Sequence, residues 1–372
     1  MFELVAPCLF GLEGPLGDEL RRGGFSDVRA ENGRVRFQGS SLDIARANIS
    51  LRCAERILLE VGAWEVRTFD DLFEGTFALP WENYIPKNGM FPVKGYSLES
   101  TLHSVSDCQS IIKKAVSKKL GEKYNLSWML EDGAEHQISF AIMKDKVSMC
   151  IDTSGAGLHK RGYRPQSTQA PLRETLAAAM VYLSRYRGKG DFADPFCGSG
   201  TIPIEAALIA KNRAPGLNRN FSAEKFNFIA PTDFTQARET AKNGEFSGDY
   251  QIFASDIESS AIDIALASAK RAGVADCIKF EVANALSFSR TTSRGVIVTN
   301  PPYGKRLLEE SAAGEIYTAF GKIMAQNTEW DSLVLSSHAD FERLFGKRAD
   351  KKRKLYNGMI KCTLFIYRHA NY

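Results

Sequence analysis

Four short runs in this 372-residue chain hold residue types able to do chemistry, and all lie in its C-terminal half. The sharpest is Asn300-Pro301-Pro302-Tyr303, directly after the apolar run GVIVT. Prolines donate no backbone hydrogen bond, so a strand that reaches them must leave its sheet. The Asn300 side-chain oxygen and the Pro301 carbonyl then remain as acceptors on a stiff corner. Two acceptors converging on a planar NH₂ can hold it and bias its lone pair toward an incoming group. Tyr303 adds a flat face on which a base can stack.

Three companions precede it. In Asp194-Pro195-Phe196-Cys197-Gly198-Ser199-Gly200-Thr201 a strand runs into a glycine-bracketed turn and then a helix, so backbone N–H groups face a ligand with no Cβ in the way. No Lys-Ser/Thr follows the glycines, and Pro203 holds the third position of a G-x-G-x-x-G, so neither phosphate-loop pattern applies. Asp256 closes QIFASDI, where a carboxylate can accept from ribose hydroxyls or cap the next helix. Asn284 closes IKFEVAN, where its amide can read an adenine edge or simply shape a turn.

The elements around these runs alternate. After Pro171 the chain reads helix (RETLAAAMVYLSRY), strand (GDFADPF), helix (SGTIPIEAALIAKNR), strand (QIFASDI), helix (SSAIDIALASAKRAG) and two strands (IKFEVANA, GVIVTNPP). A helix (GEIYTAFGKIMAQ), a strand (DSLVLSSH) and a basic hairpin from Lys351 to Tyr367 follow. Such alternation predicts a mostly parallel, doubly wound sheet with the chemistry-bearing runs at strand C-terminal ends. The earlier part reads as small α+β units. They include a hairpin at VRAENGRVRFQG, with Asn32-Gly33 supplying positive φ angles, and an amphipathic helix with Ser106 as N-cap. The predicted domains are a ferredoxin-like unit over 1–62, a second α+β unit over 63–153, a linker over 154–170 and the sheet domain over 171–372.

Composition excludes several classes. At 44% hydrophobic and 25% charged, this is a folded rather than a disordered chain. No apolar stretch approaches the ~20 residues that cross a bilayer, and no secretory leader is evident at the start. Seven scattered cysteines without a C-x-x-C, and five dispersed histidines, point to reduced thiols in a cytoplasmic protein with no metal site. The net charge of +4 is uneven: residues 1–153 carry 18 Lys/Arg against 22 Asp/Glu, and the remainder 30 against 22. A basic C-terminal half favours a polyanionic partner.

The set of motifs, in this order, resembles the class I S-adenosylmethionine (SAM)-dependent methyltransferases that act on exocyclic amines, whose hallmark is [DNS]-P-P-[YFW]. GLHKRGYR, APLRETLAAAM, DPFCGSGTIPIEAALIA, NRAPGLNR and NPPYGKRL look like consecutive blocks of the bacterial members that carry an N-terminal ferredoxin-like segment and a THUMP RNA-binding domain. The likeness extends to the N2-guanine methyltransferase half of the large-subunit (23S) ribosomal RNA enzymes. The resemblance implies a Rossmann-like domain in which Asp194, Phe196, Cys197, Gly198, Ser199, Gly200 and Thr201 line the methionine moiety of SAM. It places Asp256 with Ile257 at the ribose, Asn284 near the adenine, and Glu174 and Thr175 over the pocket; family members often have Asp where this chain has Asn284. Asn300, Pro301, Pro302 and Tyr303 would hold the target amine. Lys305 and Arg306 would hold flanking phosphates, and the helix bearing Lys113, Lys114, Lys118, Lys119 and Lys123 would dock structured RNA, large-subunit rRNA or a pre-ribosomal particle. Solvated surface charge explains these lysines as well, and equally the cluster Lys347, Arg348, Lys351, Lys352, Arg353 and Lys354. The motif serves guanine and adenine amines alike, so an N6-adenine methyltransferase is the rival. An inactive RNA-binding assembly factor is the alternative of another class.

Overall fold

The computed structural model describes residues 1–164, 172–289, 292, 294–302, 307–327 and 329–369, and the side chains of all of these except 307–312. The chain divides into two compact units: Met1–Cys8, Glu19–Leu158 and Arg219–Thr240 in one, and Leu9–Asp18, His159–Asn218 and Ala241–Tyr372 in the other. Among the described residues no helix is long and apolar enough to cross a membrane.

The first unit is built on one seven-stranded sheet. Its strands are β1 (Phe2–Pro7), β2 (Ser26–Glu31), β3 (Arg34–Gly39), β4 (Leu58–Glu65), β5 (Val93–Leu98), β6 (Ile138–Met143) and β7 (Lys146–Asp152), in the order β2-β3-β1-β4-β7-β6-β5. Helices α1 (Glu13–Arg22) and α2 (Ser41–Ser50) fall within the first four strands, in the βαββαβ order of a ferredoxin-like unit. β4 pairs with β1 at Leu58 and Leu59 and with β7 along its whole length, so this strand belongs to both α+β halves. Helices α3 (Phe69–Ala78) and α4 (Val105–Tyr124) belong to the second half.

Local chemistry explains most of these elements. α2 and α3 start with capping boxes, Ser40 with Asp43 and Thr68 with Asp71. The N-cap of α4 is Ser104, which accepts from the Asp107 N–H, rather than Ser106. Both serines lie a turn ahead of a residue suited to N3, Asp107 for Ser104 and Gln109 for Ser106, so the local signal is the same at each. In the β2–β3 turn Gly33 alone has a positive φ, so Asn32 does not share that role. The β6–β7 turn places both Lys144 and Asp145 in the left-handed region. Residues 219–240, including the first part of α7 (Pro231–Asn243), belong with this unit although they follow part of the other in sequence.

The second unit is the doubly wound sheet that the alternation predicts. Strands β8 (Asp191–Asp194), β9 (Ile252–Asp256), β10 (Ile278–Val282), β11 (Gly295–Thr299), β12 (Trp330–Ser336), β13 (Lys351–Asn357) and β14 (Ile360–Tyr367) lie in the order β10-β9-β8-β11-β12-β14-β13. The first five are parallel, and β14 enters antiparallel between β12 and β13. Strand order reverses between β8 and β11, and ligands in such sheets bind in the crevice beyond that switch point. Helices α5 (Glu174–Ser184), α6 (Thr201–Ala210), α8 (Ser259–Ala272), α9 (Leu307–Gln326) and the short α10 (Phe341–Phe345) complete the unit. α6 is buried on every face, as its apolar composition requires. A cluster of aromatic side chains fills one side of the sheet: Tyr317, Phe320, Phe341, Phe345 and Phe365 are all buried.

Beneath the glycine run lies an ion pair out of reach of water. Arg161 Nε is 3.4 Å from Glu205 Oε1, with the two side chains 2% and 0% exposed, and the Tyr163 hydroxyl donates to the same oxygen at 3.2 Å. Losing one partner leaves a buried charge, whereas losing both does not. Glu174 faces Arg161 as well, so Glu205→Leu removes one of two counter-charges and the acceptor of the Tyr163 hydroxyl, and is expected to destabilise the protein by about 1–3 kcal/mol in chemical denaturation.

Candidate functional site

The C-terminal ends of β8, β9, β10 and β11 each present one polar residue: Asp194, Asp256, Asn284 and Asn300. Short Asp and Asn side chains in such places turn back onto the backbone N–H two residues on. Three of the four do so. Asp194 Oδ1 accepts from Phe196 N at 3.2 Å, Asp256 Oδ1 from Glu258 N at 3.1 Å, and Asn284 Oδ1 from Leu286 N at 2.9 Å. For Asn300 the residue two on is Pro302, which has no N–H. Its side-chain oxygen is buried and has no partner among the described residues. The corner is fixed from behind, since the Tyr317 hydroxyl on α9 donates to the Pro302 carbonyl at 2.9 Å and accepts from Ser336 at 3.2 Å. Tyr303, Lys305 and Arg306 lie outside the described residues.

The glycine run is pinned to its neighbours on both sides. Cys197 N donates to the Ser255 carbonyl at 2.9 Å, and Gly198 N to Asp256 Oδ2 at 2.8 Å. Toward β11, the Thr299 hydroxyl donates to Asp194 Oδ1 at 2.6 Å. Gly198 and Gly200 sit at φ +50° and +81°. A Cβ on Gly200 would come within 2.8 Å of Ala265 on α8, whereas one on Gly198 would meet nothing within 4 Å. The backbone at Gly198 thus faces open space. Thr201 and Phe196 flank the run, Thr201 buried and Phe196 edge-on to Phe320; Ser199 is half-buried.

Burial pushes the Asp194 carboxyl up to about 7, with the Asp256 charge adding to the rise and the Thr299 and Phe196 bonds opposing it. Its other oxygen, Oδ2, is buried without a partner among the described residues. Burial likewise holds the Cys197 thiol far above the usual range, which makes it inert packing rather than a nucleophile.

Beyond β9 and β10 the surface is unexpectedly apolar. Ile257 is 64% exposed, Val282 54% and Leu286 38%, and Val282 pairs in register with Asp256. Ile257 was expected here; Val282 and Leu286 were not, because a valine ending a strand gives no sequence signal of exposure. Asn284 is exposed, and its oxygen is engaged in shaping the 285–287 turn. Glu174 and Thr175 are buried at the start of α5. Glu174 lies 3.4 Å from Arg164, which also bonds Thr201 Oγ1 and the Leu172 carbonyl. Burial raises the Glu174 carboxyl above its ordinary value, with Arg164 opposing. Arg164 is thus a further member of the site, tying the GLHKRGYR segment to the first turn of α6.

The lysines of α4 divide. Lys113 Nζ lies 2.6 Å from both Glu131 carboxylate oxygens and 3.5 Å over the Phe91 ring. In this structure its charge is engaged by an acidic neighbour, unlike those of the lysines that follow it on α4. Lys114, Lys118 and Lys119 instead surround two half-buried rings of α3, Phe73 and Phe77, stacked 6.2 Å apart at 7°. A concavity of about 600 Å³ on the open face of the same sheet is self-neutralised: Arg29, Arg34, Arg36 and Lys146 line it with Glu3, Asp27, Glu31 and Glu60. The Arg36–Glu60 pair there is 2.7 Å apart. In the second unit, Lys352 pairs with Glu342 at 2.8 Å and Lys347 lies over Tyr367. β13 is an edge strand, where lysines also prevent strand addition. Among the described residues no group of three or more His, Cys, Asp or Glu is placed to hold a metal ion.

Comparisons with known proteins agree on this architecture. Residues 3–58 match the RlmL ferredoxin-like domain, 66–152 the THUMP domain, and 161–366 the RMKL-like methyltransferase domain. The chain is 43% identical over 370 residues to the Bacillus subtilis protein named "Putative RNA methyltransferase YpsC", covering 98% of this chain and 96% of that one. It is 32% identical to the ribosomal RNA large subunit methyltransferase K/L of Vibrio campbellii, covering 97% of this chain and about half (52%) of that longer protein. A solved structure of a possible methylase from Clostridium difficile superposes with a TM-score of 0.97 at 41% identity, covering 100% and 99% of the two chains. SMU.472, solved in complex with S-adenosylhomocysteine (SAH), gives 0.94 at 40% identity, again covering 100% and 99%. With its glycine run, its acidic strand end and its diproline corner on one doubly wound sheet, the chain belongs to the RMKL-like methyltransferase family, carrying RlmL ferredoxin-like and THUMP domains ahead of the catalytic fold.

Proposed function

We propose that this protein uses SAM to methylate an exocyclic amine of RNA, specifically N2 of a guanine in large-subunit (23S) ribosomal RNA. The observation that carries the reading is Asn300: its buried oxygen, at the switch point of the sheet, has no partner among the described residues, Pro302 having no N–H to give it. A planar NH₂ donor satisfies that oxygen, together with the Pro301 carbonyl. The SAH-bound relative, at 40% identity over the whole chain, supports the cofactor.

The residues present fit that cofactor. Open space in front of Gly198 receives the methionine part along Asp194–Thr201, with Glu174 and Thr175 closing it. Asp256, already oriented by Gly198 and Glu258, offers its remaining lone pairs to ribose hydroxyls. The exposed Ile257, Val282 and Leu286 form the apolar surface on which an adenine ring lies flat, and Asn284 offers its amide NH₂ at the ring edge. When bound, SAM supplies a methyl group already activated by sulfur's positive charge. The chain therefore contributes chiefly position, a near-attack distance of ~3–3.5 Å. Asn300 and Pro301 hold the amine, Pro302 stiffens their corner, and Tyr303 stacks the base. No strong base is needed, because the proton leaves after transfer, to water or a nearby acceptor. A base in a helix cannot reach such a corner, so the target is flipped out or single-stranded. Lys305 and Arg306 hold flanking phosphates. The aromatic–lysine ridge of Phe73, Phe77, Lys114 and Lys118 docks structured RNA.

The test is methylation of ribosomal RNA from a strain lacking the gene, read by mass spectrometry of nucleosides. N2-methylguanosine is the expected product. N6-methyladenosine would shift the reading to the adenine amine, which the motif also serves and which the description of a 45%-identical Listeria monocytogenes structure, "a predicted N6-adenine-specific DNA methylase", suggests. No product and no SAH binding by calorimetry would leave an RNA-binding assembly factor. Asn300→Ala should nearly abolish turnover while SAH affinity stays within a few fold; a large loss of SAH binding would contradict its role. Replacing Lys114 and Lys118 with Ala should weaken RNA binding and lower the salt slope of log K by about one per lysine that meets a phosphate. An unchanged slope would return both to ordinary surface charge.

A further inference from the structure

We propose that Thr299 is a positioning residue for methyl transfer, its hydroxyl bond to Asp194 fixing the direction in which Asn300 leaves β11. The inference rests on the functional reading above. Thr299 is fully buried at the end of the apolar run Val296-Ile297-Val298, where valine would fill the same space. A buried hydroxyl needs a partner, and Asp194 Oδ1, at 2.6 Å, supplies it. That partner is itself costly, being a carboxyl 1% exposed whose second oxygen is unpaired among the described residues. Sheet stability alone therefore argues against both groups, and their value lies in what they connect.

The connection is short. Asp194 Oδ1 receives both the Thr299 hydroxyl, one residue before the diproline corner, and the Phe196 N–H, the first amide of the glycine run. One oxygen thereby ties the loop proposed to hold the cofactor to the residue preceding the amine acceptor. β8 and β11 pair in parallel through Ile297 and Ala193, so the bond closes the gap just beyond their last paired residues. A rotation of β11's final peptide would swing Asn300 away from the glycine run, and this bond opposes it.

Charge makes the link sensitive to pH. The ionisable groups facing Asp194 are Asp256, from the end of β9, and Cys197 within its own loop. Asp194 titrates at about 7, raised by burial and by Asp256. A hydroxyl donates more strongly to a carboxylate than to a neutral acid, so the link tightens as pH rises through that value. Without the hydroxyl the carboxylate loses a stabilising donor, and its titration moves higher still.

The experiment compares Thr299→Val and Thr299→Ser in the full chain, using ribosomal RNA and SAM, with SAH calorimetry and thermal melts alongside. Thr299→Val is expected to keep its KM for SAM and its SAH affinity within about threefold while kcat falls ~10–100-fold, with a melt lowered by the donor that the buried Asp194 carboxyl loses. The acid limb of its kcat–pH profile should move to higher pH, and Thr299→Ser should restore both kcat and the limb. A Thr299→Val protein with normal kcat and an unmoved limb overturns the inference. So does failure of serine to rescue, which would make the methyl group the important part. A parallel loss of SAH affinity would assign Thr299 to cofactor binding instead. An unaltered chain that transfers no methyl group overturns the functional reading and the inference with it, whereas an active one beside an indifferent valine variant overturns the inference alone.

Discussion

The site depends on a hydrogen bond that cannot form. At the ends of four neighbouring parallel strands, a short polar side chain faces the N–H two residues on, and in three of them that N–H is taken. Pro302 removes the donor from the fourth, and among the described residues the buried Asn300 oxygen has no partner. An unsatisfied acceptor there costs about 1–3 kcal/mol. A lone turn would relax to avoid the cost. This one is held by β11 between β8 and β12, by two prolines in succession, and by Tyr317 on the Pro302 carbonyl. The same principle that makes Asn284 a turn-former makes Asn300 a waiting acceptor, and the difference is one residue's missing hydrogen.

Holding such an acceptor is of use only if its neighbours are equally fixed. The sheet achieves this by tying each strand end to the next: Cys197 and Gly198 bind β9, and Asp194 binds Thr299 of β11. Beneath, the Arg161–Glu205 and Arg164–Glu174 pairs brace the first turn of α6. Each of these groups is a poor choice for stability alone, since buried charges seldom outperform packed hydrocarbon. Their concentration around a single glycine run is what distinguishes a site from a core.

Much of this was legible in the sequence because it is local. Asp194, Gly198, Gly200, Asp256 and Asn300 stand at strand–turn junctions whose chemistry depends on the next two or three residues. What was hidden depends on distant partners. Thr299 reads as one more β-former in an apolar run, and Tyr317 as one more apolar position in a helix; both matter through residues 105 and 15 positions away. Lys113 looks identical to Lys114 until Glu131 is folded against it. Residues 219–240 follow the glycine run yet pack with the other unit, a choice that periodicity does not encode. The cap of α4, expected at Ser106, is Ser104, because a serine two residues earlier carries the same local signal.

Two acceptors on a corner recognise an NH₂ but not the purine that bears it. Guanine N2 is flanked by a ring N–H donor and a ring acceptor, whereas adenine N6 is flanked by acceptors on both sides. Selection between them therefore falls to a third group beside the corner and to whichever base the RNA-holding unit presents. Charge favours the second route. Residues 1–153 carry a net −4, so the N-terminal units attract polyanions poorly as a whole. Lys114, Lys118 and Lys119 of α4 gather against two stacked rings, and the sheet face beside Glu60 cancels its own charge. Non-specific affinity for phosphate is low on a surface whose net charge is negative. An RNA that does bind there must match the ridge in shape, and shape is what can select one base, among many amines of equal reactivity, for the corner.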